Sequence, residues 1–513
     1  MEAITEDPND PRNWTPLHKN STYITICLFS FIANVNASAF TVAVRTLIQA
    51  FHISLTEATS ITALNVLTFG LGNILWVPLM RVLGKRPVYL MAILLLVVAN
   101  AWSATAASYG SLLASRIISG IGASAADATV PSAVGDLWTQ ETRGHRAMIF
   151  HFFLASGVFL GPLINAWVIQ LHGWRWVPGW ISIVSGFIFL LATFLIHETE
   201  YRRDRHQPLP SAPEPRSFLA WLNPTIALQR DRPMAAFLQS LKDILTMLSY
   251  PQILYSSIII GIFVGWTIIM QISLSQTLSS SPYSWSLGHV GYFHVAGWIG
   301  VLVALPTAGF LLDKYMSHRR RQKNLGKGDP RHRLPFLVGP WVVAPTGLVI
   351  FGVLLGRKDG WVGPAVGYAM HSFGFAAVSN ILVSYCLEMN LLFSGEGLVS
   401  LFVIRNAIAV ACTYGAGAGG WLSGGGGQGG AGGEERWTRA FVAMGVIEWV
   451  GVGFAVVVFL FSRQMMACTQ RYGPGLREME RERSESGGSW SSVQEQGMEM
   501  SGGSGRISER EEA

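Results

Sequence analysis

From Val88 to Ala107 the chain runs for 20 residues without a charged side chain. A hydrocarbon core about 30 Å thick takes roughly 20 apolar residues at 1.5 Å each, so this stretch is already sized to cross a bilayer. Only 13% of the 513 residues are charged, against about a quarter in a typical soluble domain, and those charges fall in clusters. Long apolar runs lie between the clusters. Their spacing predicts spans at 20–44, 57–80, 87–107, 111–137, 146–170 and 175–197, then a hydrophilic break, then spans at 251–278, 289–312, 334–356, 361–387, 396–422 and 438–462. Six, a break and six more describe an all-α membrane protein of twelve transmembrane helices in two six-helix, pseudo-symmetric halves, 20–197 and 251–462.

The flanks follow from composition. Residues 1–19, MEAITEDPNDPRNWTPLHK, carry no small-residue cleavage pattern, so the first apolar segment reads as a retained span and not as a signal peptide. The linker 198–250 opens with charged, Pro-rich text. It then holds an amphipathic helix with Phe237, Leu241, Ile244, Leu245 and Leu248 on one face, expected against the inner leaflet or the protein underside. Residues 463–513, rich in Ser, Gly, Glu and Arg, read as a disordered tail.

Lys and Arg set the orientation. One set of loops holds Arg81, Lys85, Arg86, Arg143, Arg146 and the dense run from Lys314 to Arg333; the opposite set holds only Arg45, Arg175, Arg357, Lys358, Arg436 and Arg439. The basic side is expected to be cytosolic, with both termini on it, and the plasma membrane is the expected location.

Several classes are excluded by what the text lacks. The net charge of +6 sits in membrane-flanking clusters and not in a stripe, so nucleic acid is not an expected partner. Four scattered cysteines (Cys27, Cys386, Cys412 and Cys468) give neither metal spacing nor a disulfide framework. No phosphate-loop text and no His/Asp/Ser constellation at loop ends is present, so no enzyme activity, cofactor or metal is expected. An ion gradient is the expected energy source.

Three segments carry helix-packing motifs. The loop after span 2 reads GNILWVPLMRVLGKRPVYL, with Gly72 for close packing, Gly84 for the turn, and Lys85 and Arg86 as anchors. Span 4 opens ASRIISGIGASAADA, with Arg116, Gly120 and Gly122; span 5 contains SGVFLGPLINAW, with Gly157, Gly161 and Pro162. Any one is modest, since Gly-x-x-x-Gly is common in membrane helices. Together, in this order, they resemble the loop, helix-four and helix-five motifs of major facilitator superfamily transporters. DPNDPRNW, RPVYL and SSPYSW resemble its fungal drug:proton-antiporter-like branch. The resemblance implies the major facilitator fold, alternating access, a proton-linked role for Arg116 and an antiporter-type span 5. It also makes Asp136, Arg143 and Glu388 gate-latch residues. The family's acidic position in the first loop is Trp76 or Arg81 here, whereas Gly309 and Asp313 keep the Gly-x-x-x-Asp spacing after span 8. The two halves therefore read as a parallel repeat with its acidic latch kept in the second.

Charges at bilayer depth cost several kcal/mol unless paired or hydrated, which makes them functional candidates. Arg116 and Asp127 lie 11 residues apart on nearly one face of span 4. They read either as a proton or substrate site or as a helix tie and a headgroup-level acid. Arg405, beside Asn406 in span 11, needs a partner from another helix, a chloride or an anionic substrate, and Asp127 is one candidate. Tyr368 and His371 in span 10, Asn34 in span 1 and Gln271 in span 7 complete the expected pathway, with structural hydrogen bonding as the bland alternative.

The expected function is a monomeric secondary transporter that moves a small organic molecule against protons, with efflux of a metabolite, toxin or drug favoured. Uptake of an organic cation or nutrient, and a non-transporting sensor on the same fold, are the alternatives.

Overall fold

The computed structural model describes residues 10–138, 140–199, 233–312, 314–315, 318, 330–358, 360–389, 394–418 and 431–472. Asp313, the charged part of the linker, the Gly-rich loop text at 419–430 and the tail from 473 lie outside that set, as do the side chains of Arg143 and Glu388.

Ten helices among the described residues are long and apolar enough to cross a membrane. In chain order they supply span 2 (Leu55–Leu83), span 3 (Lys85–Ala104), span 5 (Ile149–His172), span 6 (Trp176–Leu195), span 7 (Pro251–Leu278) and span 8 (Leu287–Gly309). Span 9 (His332–Arg357), span 10 (Val362–Leu387), span 11 (Gly395–Gly415) and span 12 (Trp437–Phe461) complete them. The other two of the expected twelve are also helices of sufficient length, span 1 (Pro16–Ala37) and span 4 (Tyr109–Leu137). Both carry buried polar side chains of the site described below, Asn34 and Asn36 on span 1 and Arg116 and Asp127 on span 4.

The outer face of the bundle is what lipid requires. Ile183, Phe187, Leu190 and Phe194 of span 6 are 57–66% exposed at spacings of three and four, one continuous apolar stripe. In water such a stripe would be a liability; in hydrocarbon it is the solvent-compatible surface.

Two hydrophobic cores form, and they divide near the linker. One runs from Tyr23 to Ile196; the other is centred on 244–458 and takes in a few first-half residues such as Val66 and Phe159. Packing repeats with a six-span offset: spans 3 and 4 pack as 9 and 10 do, 2 and 4 as 8 and 10, 1 and 5 as 7 and 11, 3 and 6 as 9 and 12. The halves meet where span 5 lies on span 8 and span 2 on span 11. Equivalent pairings in unchanged order are the parallel repeat.

The motif glycines sit at these crossings. A Cβ on Gly157 would stand 2.5 Å from the Phe31 carbonyl oxygen, and one on Gly161 2.6 Å from Ser38 Oγ, so span 5 lies against span 1 backbone to side chain. Gly72 and Gly120 make the same approach between spans 2 and 4, and Gly84, at φ 90°, turns the chain from span 2 into span 3. Pro162 lies within the span 5 helix. Gly157→Leu is expected to lower the monodisperse, detergent-extracted fraction severalfold, because overpacking costs about 1–3 kcal/mol and here the obstacle is backbone. An unchanged yield would refute that packing argument.

The linker helix, Pro233–Met247, packs on spans 2 and 11, at the protein underside. Its buried face is Ser240, Asp243, Ile244 and Met247, and Leu245, expected on that face, is 56% exposed. The face has rotated because Ser240 reaches Glu396 of span 11, as described below.

Candidate functional site

Span 4 begins with Ser108, whose side chain accepts from Ser111 N–H, and places both of its ionic residues inside the bundle. Arg116 and Asp127 are each 0% exposed. They face the same neighbour, span 1, but serve different partners. Arg116 Nη1 donates to Asn36 Oδ1 at 2.6 Å, its Nη2 donates to the Asn36 carbonyl, and its guanidinium lies 5.2 Å from the Phe40 ring centroid.

Three helical turns on, Asp127 Oδ2 accepts from Arg405 Nη2 at 2.9 Å, and Oδ1 accepts from Asn34 Nδ2 at 3.4 Å. The ion pair therefore joins span 4 of the first half to span 11 of the second. Arg405 is held in place by Asn406 Oδ1, which accepts from its Nε at 3.2 Å, and by Phe402, whose ring centroid is 4.4 Å from the guanidinium. Gly261 lets span 7 approach within contact of the Arg405 carbonyl, which fixes the backbone behind the charge.

Two cavities border this pair. One encloses about 580 Å³ of empty space, open solvent included, and is lined by Asn34, Thr41, Phe69, Thr267, Gln271 and Asn406 among others; the second, about 600 Å³ on the same measure, is lined by His151, Leu305, Phe375, Ser379 and Asn380 among others. Both are lined by Leu154, Phe375 and Arg405, so the guanidinium stands at their common wall. Neither lining includes an aspartate or glutamate. Mostly apolar walls with a few amide, hydroxyl and imidazole groups suit a small amphipathic ligand.

Of the sequence-level candidates, Asn34, Gln271, Arg405 and Asn406 line a cavity, and Asp127 stands behind Arg405. Tyr368 and His371 do not line either. Tyr368 hydrogen-bonds His294 of span 8 at 3.1 Å and also engages Gln271 of span 7, whereas His371 turns to Thr267 of span 7 and Glu448 of span 12. They share span 7 and differ in their second neighbour.

The basic ends of the helices carry the latches. Lys85 pairs with Asp136, and the backbone N–H groups of Lys85 and Arg86 donate to Glu198 at 3.0 and 3.2 Å. Arg81 pairs with Glu396 across the halves, from span 2 to span 11, and Ser240 Oγ donates to the same carboxylate at 3.0 Å. The first half therefore has an ion pair at this end as well, with the cation at 81 and the acid on the opposing helix.

Sequence reasoning passed over Glu448, Glu396, Glu198, His151, His294 and Asn36. For Glu448 the signal was present: it is a lone acid in the middle of an apolar span. For Glu396 the cue was the basic Arg81 itself, which called for an acid elsewhere.

Comparison with known proteins agrees with this architecture. The family model of the Major Facilitator Superfamily matches residues 24–391. A Schizosaccharomyces pombe protein described as an uncharacterised MFS-type transporter is 22% identical over 466 residues, covering 80% of each chain. Efflux pump FUBT of Fusarium oxysporum is 25% identical over 415 residues, which is 79% of this chain and 68% of that one. Among solved structures, the xylose transporter XylE from E. coli matches with a TM-score of 0.56 at 14% identity, over 86% of this chain and 99% of that one. These relatives are membrane transporters and not enzymes. By the match of its family model across most of its length, the chain belongs to the major facilitator superfamily.

Proposed function

We propose that this transporter exports a small amphipathic organic molecule in exchange for protons, by alternating access, as a monomer in the plasma membrane with both termini cytosolic. The supporting observation is the buried Asp127–Arg405 pair, which ties the two halves together at the wall shared by both cavities.

The pair can act as an interlock. With Asp127 ionised and the cavities empty, the ion pair holds span 4 to span 11 in a water-poor site, and the halves stay in register. A proton on Asp127 removes one charge of the pair. A substrate whose polar group takes over Arg405, and whose donor satisfies Asp127, does the same. Either occupant frees the halves to rock, and the empty ionised form does not, which is the condition for exchange. Efflux is favoured by the span 5 motif with Gly157, Gly161 and Pro162, and by a relative named as an efflux pump. Asp136, with its partner Lys85, and the positions Arg143, Asp313 and Glu388 are proposed to gate the basic side.

The test is flux in reconstituted vesicles under an imposed pH gradient, using fluorescent amphipathic compounds as probes. Expected is accumulation that follows the gradient and collapses with a protonophore. Probes that bind but never move would overturn the transporter reading, and accumulation indifferent to the protonophore would overturn the coupling.

A further inference from the structure

Glu448 lies near the middle of span 12 at 1% exposure, and neither of its carboxylate oxygens makes a hydrogen bond among the described residues. A bare carboxylate at that depth is not tolerated, because burying an unpaired charge costs far more than a proton does. Its one ionic neighbour is His371 of span 10, also 0% exposed, with Nδ1 3.4 Å from Glu448 Oε1.

The other side of the imidazole bears on how that contact is read. Nε2 lies 3.3 Å from Thr267 Oγ1. Thr267 has one hydroxyl hydrogen, and the Phe263 carbonyl stands 2.8 Å away to accept it. With that hydrogen on the carbonyl, Thr267 Oγ1 accepts from Nε2–H; in the other tautomer Thr267 donates to Nε2 and Nδ1 carries the proton. In either tautomer a neutral ring beside a carboxylate leaves one net negative charge in a dry site. The two forms without a net charge are imidazolium with carboxylate and imidazole with carboxylic acid. Both contain one proton more than the bare pair.

We propose that His371 and Glu448 together hold one exchangeable proton, a second proton site in the second half, sensed from the substrate cavity through Thr267. This deepens the proton-exchange reading above and rests on it for its purpose. Thr267 lines the 580 Å³ cavity that also contains Gln271, one helical turn on. A ligand that engages the Thr267 hydroxyl competes for the group that hydrogen-bonds His371, and so alters how firmly the pair keeps its proton. The proton arrives from, and returns to, water in whichever cavity is open; no electrons move and no bond other than N–H or O–H changes.

Among the described residues the surroundings contain no competing charge. Span 7 presents Thr267 and the Phe263 ring, stacked on His371 at 5.5 Å and 16°, and its Tyr255 hydroxyl is bonded to the carbonyls of Gly451 and Val452. Span 9 carries His332 and Arg333 at its start and Arg357 at its end, and no titratable side chain between them. Span 8 offers His294, which is bonded to Tyr368 of span 10. Span 11 offers Arg405, committed to Asp127, and His151 of span 5 lies with Arg405 on the other cavity.

Infrared difference spectra of the purified full chain, acid minus alkaline buffer, report carboxyl and imidazole protonation together. Among the modes of its other titrating groups, wild type is expected to show a carboxylic carbonyl or imidazolium component worth one proton per chain. It persists in Asp127→Asn and vanishes in Glu448→Gln; His371→Gln gives the same test from the other side should the first variant not fold. Thr267→Val is expected to move the midpoint, since it removes the hydroxyl that hydrogen-bonds Nε2. Spectra of wild type and Glu448→Gln that superimpose would overturn the site, and an unmoved midpoint in Thr267→Val would overturn its link to the cavity. Because the spectra need no substrate, the site stands or falls separately from flux. If vesicles show no exchange while the signal vanishes in Glu448→Gln, the site is upheld and the antiport reading is what fails.

Discussion

Asp127→Asn is expected to yield protein of markedly lower thermal stability whose transport no longer follows a pH gradient, and Arg405→Met added to it is expected to restore the stability but not the pH response. Removing the carboxylate leaves Arg405, only 8% exposed, without its counter-ion. An uncompensated buried charge of this kind costs about 3–5 kcal/mol. Asn34 cannot compensate, since its amide can accept a hydrogen bond through Oδ1 but supplies no counter-charge. Arg405→Met alone is expected to be milder, because a stranded carboxylate can take up a proton and become neutral, whereas a guanidinium cannot lose one. The double variant removes both charges and leaves a thioether beside Phe402 and Phe375. A double-mutant cycle of unfolding temperatures measures the outcome, and single effects that simply add would deny that the two residues act as a pair. Proton-driven flux is the second readout. The coupling reading fails if Asp127→Asn retains the wild-type pH dependence.

The spans were legible because lipid leaves few choices. A backbone that cannot bond to water must be helical, and a run such as Val88–Ala107 states its own length. The two spans with the weakest hydropathy, 1 and 4, were still readable, since their polar residues are too few to break a helix. Asp127 and Arg405 were each visible as charges at depth, and the fold brings them to 2.9 Å. What spacing could not supply was direction. Tyr368 and His371 lie three residues apart and share span 7, yet one reaches on to span 8 and the other to span 12, because a helix in a bundle has several neighbours and a face is not a destination. The latch between Arg81 and Glu396 was hidden for a related reason: its two ends are far apart in the sequence, and the acid sits where a motif scan of the first half does not look. Neutral partners such as Asn36 leave no trace in a search for charges.

Asn36 is also what decides the reading of Arg116. A guanidinium that is 0% exposed and has no carboxylate among the described ion pairs needs another source of negative potential. Asn36 lies in the last turn of span 1, which ends at Ala37. The final carbonyls of a helix lack intrahelical donors and carry the negative end of its dipole. Arg116 grips both the Asn36 carbonyl and its Oδ1, so it caps span 1, and the helix end serves as its counter-charge. Arg116→Met is then expected to lower stability. Oδ1 loses its donor in a dry site, at about 1–3 kcal/mol, and the dipole term is lost as well, although the carbonyl keeps the Ala39 N–H at 3.3 Å. Arg116→Lys keeps a positive charge at the helix end but cannot span both oxygens, so its unfolding temperature should fall between those of Met and wild type. Flux separates this cap from a proton role. Lys that restores stability and transport together marks Arg116 as a structural tie, whereas Lys that restores stability while transport stays at least tenfold down, about 1.4 kcal/mol in the transition state, places the guanidinium in the transport cycle. A Met variant as stable as wild type would remove the cap from the account altogether.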